Sequence, residues 1–176
     1  MNKNLLMVIA PNNFRDEEYF EPKRVFDEVG FKVITASKDV QVAISRFDRR
    51  VMIDLDVCSV NVDDYDVVVF IGGGGALVYE KDSYIHDLIN SFYSKGKLVC
   101  AICIAPRILG ASGILMGKKV TMWNGDGKQK KIIENYGAEF TDADVEEDGN
   151  IITGNGPISA EEFGKRIAQR LDEGLE

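Results

Sequence analysis

Long hydrophobic runs, histidine and cysteine are all scarce in this 176-residue chain. Its apolar stretches are much shorter than the roughly 20 residues that a membrane-spanning helix needs, so we expect no membrane association. The net charge is −8, from 21 basic and 29 acidic residues. This balance disfavours nucleic-acid binding, because nucleic-acid-binding proteins usually carry a basic patch. Three cysteines, an odd number, favour a reducing cytoplasm over a disulfide framework.

Clusters of metal-binding residues are lacking as well. The single histidine, His86, has no cysteine at zinc-ligand spacing, and no calcium-binding loop is present. The glycine run at residues 72–75 lacks both the Gly-Lys-Ser/Thr of a P-loop and the spacing of a dinucleotide fingerprint. We therefore expect neither a metal nor an organic cofactor.

Apolar runs alternate with amphipathic stretches along the chain, without an internal repeat or a linker. The pattern predicts strands at 5–10, 31–36, 67–71, 98–102 and 119–123, and helices at 17–28, 84–93, 107–111 and 128–136. Paired short strands are predicted at 40–44 with 51–55 and at 145–147 with 151–153, before a last helix capped by Ser159. Strands alternating with helices predict one α/β domain over residues 1–176, with a mostly parallel sheet covered on both faces.

Residues 97–107 combine a strand with an abrupt turn into a helix. The apolar run breaks at Cys103, and Pro106 stands where a helix would begin. This pattern predicts a nucleophile elbow, in which a strand–turn–helix exposes one reactive side chain. Free helix N–H groups and the helix dipole favour a thiolate at such a turn, so we predict a low pKa for the Cys103 thiol.

Three strand ends are predicted to meet at the ligand-binding edge of the sheet: the loop after Ala10, the glycines after Ile71, and Cys103. The glycine run is either a flexible turn or a loop whose N–H groups bind an oxyanion. Glu18 is either an acid that favours the start of the first helix or a carboxyl that shares a proton with Cys103.

The other two cysteines have weaker signals. Cys100 forms a Cys-x-x-Cys motif with Cys103, but it still lies in the predicted strand, where a disulfide is geometrically awkward. A buried core cysteine is therefore favoured over a redox dithiol. Cys58 lies in a predicted loop or edge segment, and no role is assigned to it.

Four stretches in a fixed order carry a resemblance to a known family: Glu18 four residues before Pro22, residues 64–73, residues 101–106, and residues 148–153 followed by Gly156-Pro157 and a final helix. In this order they resemble the ThiJ/PfpI (DJ-1-like) family over nearly the whole chain. The resemblance implies a flavodoxin-like three-layer sandwich, a cytoplasmic homodimer and a reactive cysteine linked to oxidative stress.

The resemblance also implies roles for individual residues. Cys103 matches the reactive elbow cysteine, and Glu18 matches the acid, usually protonated, that hydrogen-bonds it. Gly73 and Ile104 match the positions whose backbone N–H groups face the cysteine like an oxyanion hole. The remaining residues that we expect to line the pocket are Gly74, Trp123 and Asn155.

Histidine is missing where the family usually places it. Ile104 follows the cysteine directly, and Trp123 stands at the end of the strand after the elbow helix. His86 is interpreted as an ordinary helix residue. Proteolysis is disfavoured without a Cys-His dyad, because thiol hydrolysis needs a base and an acid. Asp126 and Glu18 are the candidates to replace the histidine.

Two functions are consistent with this sequence. An enzyme acting on small carbonyl compounds, glyoxalase-like, deglycase-like or hydrolase-like, would use Cys103 as nucleophile and Glu18 to move the proton. Alternatively, a non-enzymatic stress sensor or protective holdase would use oxidation of Cys103 by peroxide. The expected partners are a carbonyl substrate or peroxide and a second copy of the chain.

Overall fold

Twelve strands and five helices alternate in the computed structural model, which describes residues 3–174. The strands are β1 (Asn4–Val8), β2 (Asn12–Phe14), β3 (Lys32–Ser37), β4 (Val42–Ser45), β5 (Arg50–Met52), β6 (Leu55–Asp56), β7 (Val67–Phe70), β8 (Leu98–Ile102), β9 (Lys119–Val120), β10 (Glu139–Phe140), β11 (Val145–Asp148) and β12 (Ile151–Gly154). The helices are α1 (Asp16–Glu28), α2 (Ser83–Ser94), α3 (Pro106–Ser112), α4 (Gln129–Asn135) and α5 (Ala160–Glu173). No helix within residues 3–174 is both long enough and apolar enough to cross a bilayer.

Seven strands form the main sheet in the order β11-β12-β8-β7-β1-β3-β6. Every neighbouring pair is parallel except β11 and β12, which are antiparallel. A small second sheet joins β2, β4 and β5, and β9 pairs with β10. The predicted mostly parallel sheet and both predicted short pairs are confirmed.

Side chains alternate across the main sheet into two cores. In β1, Leu6 and Val8 pack with α2 and α3, whereas Leu5 and Met7 pack with α1 and α5 on the other face. This period of two, with both faces apolar, is what a sheet covered by helices requires. The result is the predicted three-layer flavodoxin-like sandwich, with the carboxyl ends of β1, β7 and β8 at one edge.

Some predicted elements differ from the observed ones for local reasons. The strand predicted at 119–123 ends at Val120, because the Thr121 N–H binds the Thr153 hydroxyl (2.9 Å) instead of continuing the ladder. Strands β2, β6 and β10 were not predicted as separate strands, because they have two or three residues each, too few to produce an alternating pattern. Ser159 does not cap α5 with its side chain, because its hydroxyl donates to the carbonyl of Gly156 (3.0 Å).

Tyr79 connects the glycine segment to the ends of two central strands. It is buried, its hydroxyl donates to the Ile9 carbonyl (2.9 Å), and it accepts from the Lys38 N–H (3.2 Å). Ser37 lies 3.3 Å from the same hydroxyl. Tyr79 therefore helps to fix the glycine segment to the edge of the sheet at which β1 and β3 end.

Tyr79→Phe should lower the free energy of unfolding by about 1–3 kcal/mol, because it leaves buried backbone groups of Ile9 and Lys38 without their partner. Urea unfolding measures the change. Tyr84→Phe is the matched control, since the Tyr84 hydroxyl bonds to the Cys58 carbonyl (2.9 Å) at the surface. A loss no larger for Tyr79→Phe than for the control would contradict this role.

Candidate functional site

Cys103 lies in a strained turn between β8 and α3. Its φ is 64°, in the left-handed region that residues other than glycine rarely adopt. Two backbone hydrogen bonds hold it there: its N–H donates to the Gly154 carbonyl (2.9 Å), and its carbonyl accepts from the Trp123 N–H (2.9 Å). The strand–turn–helix predicted around Cys103 is confirmed, with Pro106 as the first residue of α3.

The glycines after β7 allow the closest approaches in the site. A Cβ on Gly72 would lie 2.5 Å from a carboxyl oxygen of Glu18 and 2.7 Å from the Cβ of Cys103. Gly73 has a φ of 96°, and a Cβ there would lie 2.5 Å from the backbone nitrogen of Arg15. These positions therefore require glycine for close contact, and not only for a flexible turn.

Glu18, in the first turn of α1, is fully buried against the elbow. The Arg15 N–H donates to the Gly72 carbonyl (3.0 Å) and so joins the start of α1 to the glycine loop. Neither carboxyl oxygen of Glu18 has a hydrogen-bond partner of ordinary geometry within residues 3–174. The Cys103 thiol and the Gly72 N–H lie close enough to the carboxyl to lower its pKa. Burial raises the pKa of Glu18 to about 7, because an unpaired charge is costly away from water.

The environment of Cys103 differs from the sequence-based prediction in one respect. Burial and the adjacent Glu18 carboxylate raise the pKa of the Cys103 thiol, whereas the N–H groups of Gly73 and Ile104 lower it. The raising effects are larger, and burial is the largest of them, so the predicted low pKa of the Cys103 thiol is wrong. Glu18 and Cys103 are buried acids in contact, and they cannot easily both be charged. They therefore titrate as a coupled pair, and the two groups share the last proton that the pair loses.

A pocket of about 520 Å³ opens over the thiol. It is lined by Arg15, Glu18, Arg46, Gly73, Gly74, Leu77, Cys103, Ile104, Arg107, Trp123, Gln129 and Pro157. The structure thus brings together all the predicted site residues except Asn155. That residue lies in a neighbouring cleft, because its amide donates to the Asp144 carboxylate (3.0 Å) and holds it away from Cys103.

The candidates for a replacement base are not all in the pocket. The Asp126 carboxylate accepts from the Lys128 N–H (2.9 Å) and the Gln129 amide (2.8 Å) at the start of α4, and Asp126 is not among the lining residues. The His86 ring binds the Glu80 carbonyl (2.9 Å), also outside the pocket. Glu18 is therefore the titratable acid or base that faces Cys103.

The other two cysteines are not among the residues that line the pocket. Cys100 is a buried core residue of β8, as predicted, and it carries a free thiol. Cys58 is exposed and free. Within residues 3–174, no group of three or more histidine, cysteine, aspartate or glutamate side chains is placed to hold a metal ion.

Sequence reasoning missed three arginines that line the pocket. Arg107 is four residues after Cys103, so its place on the elbow helix was a usable signal. Arg15 lies three residues before Glu18, one helical turn away, which was a weaker signal. Arg46 lies in the β4–β5 turn, and nothing in the sequence distinguishes it from an ordinary surface arginine.

The raised pKa of Glu18 predicts how stability depends on pH. In the unfolded chain this carboxyl ionises near its ordinary value of 4.5, but in the folded protein it ionises near 7. Between these two pH values the folded state binds a proton that the unfolded state has lost. The free energy of unfolding therefore falls as pH rises through this range, by up to about 3 kcal/mol. Relative to wild type, Glu18→Gln should gain stability by this amount between about pH 5 and about pH 8 in urea unfolding.

Glu17→Gln is the matched control for this measurement. Glu17 is adjacent in the helix but only partly buried, and its hydrogen bond with Arg15 lowers its pKa. It is ionised in both states across this pH range, so its substitution should leave the pH dependence unchanged. The same pH dependence in wild type and Glu18→Gln would show that Glu18 has an ordinary pKa.

Comparison with known proteins agrees with the fold. The chain is 34% identical to the protein dj-1beta of Drosophila melanogaster over 97% of this chain and 90% of that protein. It is 29% identical to the deglycase PfpI of Pyrococcus furiosus over 86% of this chain and 90% of that protein. The crystal structure of a ThiJ/PfpI domain protein from Brachyspira murdochii superposes with a TM-score of 0.93 at 30% identity, covering 98% of both chains. The family model of the DJ-1/PfpI family matches residues 3–170, and this chain belongs to that family.

Proposed function

We propose that this protein is a cysteine-dependent enzyme acting on small 1,2-dicarbonyl compounds, with Cys103 as nucleophile and Glu18 as the group that moves protons. One observation carries the proposal: a fully buried carboxyl without an ordinary hydrogen-bond partner lies against the elbow thiol, at a pocket large enough for a small molecule. The deglycase name of the Pyrococcus furiosus relative is consistent with carbonyl chemistry.

The first step is addition of the thiol to the aldehyde carbon. The Cys103 sulfur forms a bond to carbon, the thiol proton passes to the Glu18 carboxylate, and the carbonyl π electrons move to oxygen. The N–H groups of Gly73 and Ile104, which lie near the sulfur, stabilise the negative oxygen until it takes the proton. The product of this step is a hemithioacetal.

The later steps need only proton transfer and water. Glu18 removes the hydrogen on the former aldehyde carbon, and the hydroxyl proton of the hemithioacetal moves to the neighbouring ketone oxygen. Glu18 then returns its proton to the neighbouring carbon, which gives a thioester on Cys103 with a hydroxyl on the next carbon. Water cleaves the thioester and releases a 2-hydroxy acid. The net change is the addition of one water molecule, so the balance requires no external oxidant or reductant. A pKa near 7 suits Glu18 to this role, because it both accepts and donates a proton at neutral pH.

A second candidate function is peroxide sensing through Cys103. The observation that favours it is the same pair of unpartnered Glu18 oxygens: a protonated Glu18 can donate to an oxygen of a cysteine sulfinate. Selective gain of two oxygen atoms at Cys103 in dilute peroxide, without any turnover of dicarbonyls, would favour the sensor. The cytoplasmic location and the homodimer remain predictions from the resemblance.

Turnover of methylglyoxal to lactate tests the enzyme proposal. Cys103→Ser should abolish it, and Glu18→Gln should reduce kcat by about 10²–10⁴-fold, as expected when a general acid–base is lost. Cys58→Ser is the matched control and should keep full activity, since that thiol is exposed and outside the pocket. Equal activity in Cys103→Ser and wild type would refute the mechanism.

A further inference from the structure

We propose that the pocket over Cys103 selects dicarbonyl substrates that carry a carboxylate, which Arg46 binds with help from Arg15. This inference rests on the proposed function and specifies its substrate class. The pocket is lined by three arginines and a single acid, Glu18, although the whole chain has a net charge of −8. A positive cleft in an acidic protein concentrates anionic ligands in front of the nucleophile.

The backbone of Arg46 is held firmly at the rim. Its N–H donates to the Phe14 carbonyl (2.8 Å), which joins the β4–β5 turn to β2. The buried Asp16 carboxylate accepts from the Ser45 hydroxyl (2.5 Å) and the Phe47 N–H (3.2 Å), on either side of Arg46. The turn is therefore fixed to the start of α1, the helix that also supplies Glu18.

The Arg46 side chain has a free charge. Within residues 3–174 its guanidinium forms no hydrogen bond and no ion pair, although the side chain lines the pocket. A guanidinium presents a planar fork of N–H donors that matches a carboxylate with two hydrogen bonds. The Arg46 charge acts on the nearby Glu17 carboxylate, but no hydrogen bond or ion pair has to break before Arg46 binds an anionic ligand.

Arg15 lies on the same side of the pocket as Arg46, although the Glu17 carboxylate balances its charge. Its guanidinium forms two hydrogen bonds with Glu17 (2.7 and 3.1 Å) and lies 5.3 Å from the centre of the Phe47 ring. These contacts fix it next to the β4–β5 turn. Its charge acts on both Cys103 and Glu18, so Arg15 lies close to both groups.

Arg107 contributes less to anion binding. Glu80 accepts two hydrogen bonds from it (2.7 and 2.8 Å), and Gln129 accepts a longer one (3.3 Å). Tyr136 also donates to Glu80 (3.0 Å) and holds this pair in place. Glu80 neutralises Arg107, and Glu17 neutralises Arg15 in the same way, so the unbalanced positive charge of the pocket lies at Arg46. A substrate is thus oriented with its carboxylate there and its aldehyde at Cys103.

Two alkylating reagents of similar size test the charge preference without requiring turnover. Iodoacetate is an anion and iodoacetamide is neutral, and both react when a thiolate displaces iodide. The ratio of the two rates at Cys103, followed by mass spectrometry, should exceed the ratio at exposed Cys58, which lies beside Asp56. Arg46→Met should lower the Cys103 ratio by about three- to tenfold, and high salt should lower it as well.

Arg50→Met is the matched control, because Arg50 lies on the same hairpin but outside the pocket. It should leave the Cys103 ratio unchanged, and Arg46→Lys should largely preserve it. Equal ratios at Cys103 and Cys58, or no effect of Arg46→Met, would overturn the proposal.

Turnover separates this proposal from the proposed function. With 4,5-dioxopentanoate, which carries a carboxylate, Arg46→Met should raise KM about tenfold and leave kcat nearly unchanged. With methylglyoxal, which carries no charge, the same substitution should raise KM by a much smaller factor. If neither compound is consumed but Arg46→Met still lowers the alkylation ratio, the enzyme proposal fails and the anion preference stands. If both compounds are consumed and Arg46→Met affects them equally, the anion preference fails and the enzyme proposal stands.

Discussion

The contact between the buried Glu18 carboxyl and the Cys103 thiol is the constraint on which the rest of the site depends. Neither acid is well solvated, and the carboxyl has no ordinary partner within residues 3–174. The pair therefore ionises one proton at a time, and the second ionisation is strongly disfavoured. A glutamate held half-protonated at neutral pH is able to take the thiol proton and to return it, which is what addition to a carbonyl requires.

The fold creates this contact by bringing three strand ends to one edge. Cys103 follows β8 in a left-handed turn, and Gly72 and Gly73 follow β7. The loop after β1 leads into α1, which contains Glu18. Gly72 separates the two acids by little more than its own backbone, since even one added carbon would contact both. The same loop carries Arg15, and the hairpin bound to it carries Arg46. The proposed catalytic groups and Arg46 are thus held by the same connected segments.

The sequence predicted the features that depend on local pattern. Alternating apolar runs gave the central strands, and the break at Cys103 before Pro106 gave the elbow, because both follow from residues adjacent in the chain. The place of Glu18 and Gly73 beside Cys103 came from strand order and from family resemblance. Three features could not be predicted: the raised pKa of Cys103, the position of the Asn155 side chain outside the pocket, and the presence of Arg46 in the pocket lining. They depend on burial and on partners such as Asp144 and Phe14, which are distant in the sequence.

The most direct test of the shared proton is a pH titration of the Glu18 side-chain carboxyl carbon by NMR, with the signal assigned by its loss in Glu18→Gln. Burial against Cys103 predicts a midpoint near 7 in wild type. It also predicts a second, much higher step in the same signal as the pair loses its last proton, and that step should disappear in Cys103→Ala. A single transition near the ordinary value of 4.5, identical in wild type and Cys103→Ala, would show that the two groups do not share a proton and would contradict the account.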